Sequence, residues 1–212
     1  MWRIPKSCAG IVPGCLTFWS VGTSDRILAA ALRSFGTTGI DGTSLDALAR
    51  EIGVTKQAIL YWYPSKEALL DAVIDFSAVE LQRRFARAIE VGEGFERIEA
   101  VVHAAFRLAA RHPAMLGLMR EVNRIGPPTS KRLTASVTPL LTAAAAWLEA
   151  EMDAGRLRRH DPKLLVLMAY SSVTGLATEV EVLRALGEEP TLASLVRRRD
   201  QLVDLLRDAL VP

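Results

Sequence analysis

Apolar residues recur at helical spacing along nearly the whole chain after residue 23, and no stretch shows the period-two alternation of a half-buried strand. Ile27, Leu28, Ala31, Leu32 and Phe35 share one face of a helix predicted over 24–35, with Gly36 and Gly39 read as its end. Thr43-Ser44-Leu45-Asp46 has the form of a capping box in which Thr43 caps and Asp46 reaches back. It opens a helix that turns Leu45, Leu48, Ala49 and Ile52 inward. Gly53 closes that helix, and Thr55 is positioned to cap another that runs to about Tyr61. Two short helices joined by a glycine-containing turn form a helix-turn-helix pattern.

Pro64-Ser65 ends this unit, and Ser65 caps a longer helix over 66–90. Five further helices are predicted over 95–111, 114–125, 130–154, 162–186 and 191–209, separated by proline- and glycine-bearing breaks. Asp161-Pro162 supplies an N-cap and an N1 proline, a strong start signal. Pro139, inside the helix over 130–154, is expected to kink or split it. The fold class is therefore all-α: a three-helix unit carrying the helix-turn-helix over 24–70 and a larger helical domain over 71–212.

The first 23 residues break the pattern. Arg3 and Lys6 precede an uncharged stretch over 7–24, which imitates a secretory leader. Gly10, Pro13, Gly14 and Gly22 interrupt that stretch, so it is read as an extension outside the fold, with Val21 an alternative start of translation. Both cysteines, Cys8 and Cys15, lie inside it; two thiols make no disulfide framework, and a reducing cytosol is expected. Later uncharged runs, over 133–148 and 164–178, are shorter than the roughly 20 residues a bilayer demands. They are read as buried helices, and no membrane partner is expected. The net charge of +2 gives no global signal for nucleic acid, so any DNA contact has to be concentrated locally.

The motifs over 24–73 carry that concentration. They are Thr43-Ser44-Leu45-Asp46-Ala47-Leu48-Ala49, Gly53-Val54-Thr55-Lys56 and Pro64-Ser65-Lys66-Glu67-Ala68-Leu69-Leu70, and together they resemble the DNA-binding domain of TetR-type transcriptional repressors. On physical grounds a recognition helix presents its first turn to the major groove. Lys56 is suited to guanine or phosphate, and Gln57 to bidentate pairing with adenine. Ser44 and Thr55 stand at helix starts, where hydroxyls and free N–H groups suit phosphate oxygens. Tyr61 and Trp62 end the recognition helix within reach of sugar-phosphate or thymine methyls. Tyr63 is read as packing. Lys66, by the resemblance, anchors a phosphate. Leu60 stands where the family often has tyrosine, and Gln57 where it often has glycine.

The resemblance further implies an effector pocket in the second domain. His103, Phe106, Met115, Met119, Trp147, Met168 and Tyr170, on otherwise apolar helices, are the candidates to line it. His103, His112 and His160 lack the spacing of metal ligands, and no metal or cofactor is expected. Glu121, Glu149 and Glu151 are read as helix-surface carboxylates, and the arginine runs 156–159 and 197–199 as solvated helix ends. The helices over 162–186 and 191–209 carry more apolar surface than one neighbour can cover, which points to a homodimer built through them.

These observations converge on a cytoplasmic homodimer that represses transcription from double-stranded operator DNA and is released by a small, hydrophobic effector. Two rival classes stay open: a DNA-binding regulator without effector, and a helical enzyme. No nucleophile–base pair or phosphate loop favours the enzyme, and an enclosed apolar cavity is the feature that would separate the first rival.

Overall fold

The computed structural model describes residues 22–90, 92–178 and 180–212, so the predicted extension lies outside it up to residue 21. Among the described residues there are ten helices and no strand: α1 (Thr23–Thr37), α2 (Leu45–Ile52), α3 (Lys56–Trp62), α4 (Lys66–Ile89), α5 (Phe95–Arg111), α6 (Pro113–Ile125), α7 (Thr129–Asp153), α8 (Pro162–Thr178), α9 (Val180–Ala185) and α10 (Leu192–Leu210). Among the described residues, five of the ten starts are sealed by the residue types that favour them. Ser44, Thr55 and Ser65 accept the backbone N–H of Ala47, Ala58 and Ala68, each at 3.1 Å. Asp161 accepts from Lys163 and Leu164, and Thr191 and Ser194 form a reciprocal capping box. Each such cap contributes about 1 kcal/mol.

The cap of α2 differs from the expected one by a residue. Thr43 is buried, its hydroxyl donating to the Gly39 carbonyl and pairing with Ser34 Oγ, while Ser44 does the capping. Asp46 therefore does not reach back; it extends to Lys56 instead. Gly36 does not end α1, which continues to Thr37. Pro139 leaves α7 a single helix.

Two apolar clusters form the interior. The first joins Ile27, Phe35, Leu48, Ile59, Leu69 and Val73 to Leu118 and Val122 of α6 and Leu133 of α7. The second gathers Phe95, Val102, Phe106, Leu148, Met152, Leu157, Val203 and Leu210 from α5, α7, α10 and the turn after α7. Burying a Leu, Ile or Phe contributes about 1.5–3 kcal/mol. The first cluster thus holds the DNA-binding helices against α6 by the same force that folds them.

Several charged residues read as surface are structural. Glu151 is buried; it accepts the Gly94 N–H at 3.0 Å at the start of α5 and both arms of Arg156, at 2.6 and 2.8 Å. Those bonds hold its carboxyl below the usual range, Arg156 contributing most. Arg158 closes the end of α10, its N–H reaching the Leu210 carbonyl and its guanidinium the Asp208 carbonyl. Arg198 is buried and donates to Ser194. Sequence spacing cannot reveal these roles, because each partner except Ser194 comes from another element or a turn.

Candidate DNA-binding face

The apolar sides of α1, α2 and α3 meet over Ile27, Phe35, Leu48 and Ile59, and this leaves the opposite side of α3 in solvent. Lys56 and Gln57 occupy its first turn and are exposed. Tyr61 is 81 % exposed and Trp62 48 %, with their rings edge to face at 5.7 Å. A large aromatic pair left in water without a packing partner is what a docking surface needs and a folded core does not. Tyr63 behaves differently. It is partly buried, its hydroxyl bonds Ser24 Oγ at 2.8 Å, and burial pushes its pKa up. It fastens α1 to the end of α3.

Ser44 and Thr55 stand at the starts of α2 and α3, with their hydroxyls engaged as caps. Lys66 opens α4 and is partly buried. The one feature of this face that sequence reading missed is the ion pair of Lys56 Nζ with Asp46 Oδ2 at 2.8 Å. The signal was present in a weak form: an acid and a base at the first turns of successive helices.

A second set of contacts ties this unit to α6. Glu121 accepts the Ile40 N–H at 2.9 Å and both arms of Arg124, which also reaches Asp41 at 3.2 Å. Arg124 first, then the Ile40 N–H, depress the Glu121 carboxyl to about 2. Nearby, α1 and α6 approach so closely that a Cβ on either Gly36 or Gly117 would strike the other helix's backbone.

Comparison with known proteins agrees with this geometry. The profile of the bacterial regulatory proteins, tetR family, matches residues 27–73. The HTH-type transcriptional regulator RutR of Escherichia coli K12 is 31 % identical over 153 residues, covering 69 % of each chain. The chain belongs to the TetR family. It is a transcriptional regulator with a helix-turn-helix, not an enzyme. TetR-type architecture extends through its whole fold: a TetR transcriptional regulator from Chloroflexus aurantiacus J-10-FL superposes with a TM-score of 0.74 at 20 % identity, over 89 % of this chain and 96 % of that one. AibR, solved in complex with isovaleryl coenzyme A and operator DNA, gives 0.73 at 18 % identity, over 86 % and 96 %.

The seven residues expected to line an effector pocket do not gather at one place. Phe106 is buried in the second cluster, Trp147 packs against it, and Arg97 lies 5.1 Å over the Trp147 ring. Met115 is buried in α6, whereas Met119 packs on the first cluster. His103 is half-buried, and its pKa is lowered, by burial first. Met168 and Tyr170 are exposed on α8. Neither the hollow of about 550 Å³ between the α1–α2 turn and α6 nor that of about 340 Å³ between α4 and α5 is lined by any of the seven. Among the described residues, no helix is long and apolar enough to cross a membrane.

Proposed function

We propose that the protein is a cytoplasmic homodimeric repressor that binds a pseudo-palindromic operator through Ser44, Thr55, Lys56, Gln57, Tyr61, Trp62 and Lys66. The observation that carries this reading is the exposed first turn of α3, with Lys56 and Gln57 free of packing duties on a unit clamped by its own core. Side chains so placed contact base edges when the helix enters a major groove, at about 1–3 kcal/mol of discrimination per good pair. The unit over 24–70 acts as the reading head, and 71–212 as the sensing and pairing domain.

Dimerisation is supported by exposed apolar side chains on the last helices. Leu164, Leu167, Met168 and Tyr170 on α8 are exposed, as are Val182 and Leu186 near α9 and Leu192, Val196 and Leu205 on α10. A two-fold pairing of α8 and α10 buries them and sets two reading heads at half-site spacing. The side chain of Leu176, on the same predicted helix, lies outside the described ones.

The effector is small and apolar in this reading, since Phe106 and Met115 are buried apolar side chains on α5 and α6. It changes the operator affinity only by binding the operator-bound and released states unequally, with α4 as the lever between the two domains. A regulator without effector is the second reading, favoured by the dispersal of the seven sensor residues. Selection of DNA from a random pool, followed by footprinting, tests the proposal. A symmetric site with half-sites a whole number of helical turns apart supports it, and an asymmetric or absent site overturns it. Release of that DNA by apolar small molecules separates the two readings.

A further inference from the structure

The hollow of about 340 Å³ between α4 and α5 is lined by five arginines: Arg83, Arg84 and Arg87 on α4, and Arg107 and Arg111 on α5. The rest of its lining is apolar: Ala88, Ala100, Ala104 and the buried Leu108. Glu80 neutralises part of this charge through Arg83 and Arg84, each at 2.7 Å. Arg87, Arg107 and Arg111 have no ion pair among the described residues. Arg84 also keeps its Nε buried without a hydrogen-bond partner. The positive field reaches His112, whose pKa is lowered by burial first and then by Arg84, with Arg111 adding to it. Like charges gathered around one concavity repel, and the free chain bears that cost unless an anion occupies the site.

We infer that this cleft binds a small, multiply charged, phosphate-bearing ligand. Guanidinium forks match phosphate oxygens two at a time, which a bare point charge does not, and five of them converge here on a hollow of small-molecule size. The apolar part of the lining offers the body of a phosphate ester a surface beside the arginines. The arginines do not belong to the DNA-binding face. Arg83 lies 17 residues beyond Lys66 along α4, about 26 Å at the rise of an α-helix. The site is also separate from the proposed apolar effector region, and its existence depends neither on that reading nor on repression.

Calorimetric titration of the full chain tests it, with inorganic pyrophosphate and adenosine diphosphate as probes and malonate as a phosphate-free dianion, at about 0.15 M salt. Pyrophosphate is expected to bind one equivalent per chain, and the Arg87→Ala/Arg107→Ala double variant to bind it at least tenfold more weakly. Tighter binding of adenosine diphosphate than of pyrophosphate places an organic body on the apolar lining; the reverse order keeps the ligand to the phosphate alone, and both support the site. Both substitutions are at exposed positions, and circular dichroism checks that the double variant is folded. Arg159→Ala, an exposed arginine paired to Asp153, retains full affinity. No binding at millimolar pyrophosphate, equal affinity in the double variant, or equal binding of malonate overturns the proposal. So does a random-sequence duplex that loses affinity for the double variant while pyrophosphate does not bind, since the arginines would then serve DNA.

Discussion

Gly117 of α6 packs so closely on Gly36 of α1 that a Cβ on Gly117 would strike the Gly36 carbonyl, while a Cβ on Gly36 would strike the carbonyl of Ala114, also on α6. The atoms in the way are main-chain atoms, which cannot swing aside as a side-chain tip can. Gly117→Ala is therefore expected to destabilise the fold by about 1–3 kcal/mol, the range for overpacked interiors. Thermal unfolding measures it. An unchanged or raised melting temperature would show that the two helices can part at no cost.

Glu121 makes stability depend on acid. Its carboxyl titrates near 2 in the folded chain, against an ordinary value of 4.5, so folding favours the ionised form. The stabilisation is complete above about pH 4.5 and is lost as pH falls towards about 2. Glu121→Gln should lower the melting temperature at pH 7, and the gap from wild type should shrink steadily below pH 4.5. A gap that is constant with pH would assign the effect to shape rather than charge.

Replacing Lys56 and Gln57 together by alanine should leave a folded protein with flattened preference among DNA sequences. Both side chains are exposed, so little packing is lost. Each base contact is worth about 1–3 kcal/mol, and a dimer would use it twice. Gel-shift titration on selected and scrambled duplexes reads the ratio, and undiminished selectivity would move the reading residues elsewhere.

Leu167→Glu and Leu205→Glu probe the proposed dimer. The two leucines are 59 % and 65 % exposed in the single chain, so a carboxylate there costs the protomer little. Buried across a two-fold interface it costs several kcal/mol in each half. Light scattering after size exclusion should find monomers, with Ala150→Glu on α7 unaffected. Dimers in both leucine variants would place the interface on another surface. Leu202 is unsuited to this test because it packs on the protomer's own second cluster.

Helix content and order were legible from the sequence because amphipathic period and capping residues are local properties. The reading of Thr55 and Ser65 as caps shows how far this goes, since a cap follows from near neighbours. Gly36 shows where it stops. A glycine near a helix end was read as a terminator, but its need is steric and comes from α6, about eighty residues away. Glu121 and Glu151 failed for the same reason, since a carboxylate's partner across the fold leaves no trace in local spacing. Met168 and Tyr170, expected to line a cavity, are exposed on α8 in the single chain, because period alone does not distinguish an inward side from an outward one.

The pairing of Lys56 with Asp46 alters how salt should act on DNA binding. A lysine that meets a phosphate from bulk water releases a condensed counterion, and the slope of affinity against salt counts such lysines. Lys56 arrives already compensated by a carboxylate that it must leave behind, exposed and next to the phosphates. Its counterion yield is then less than one, and added salt weakens the pair it leaves as well as the pair it forms. The salt slope will therefore undercount the cations on the reading head, and Asp46→Asn will steepen it without adding a single positive charge.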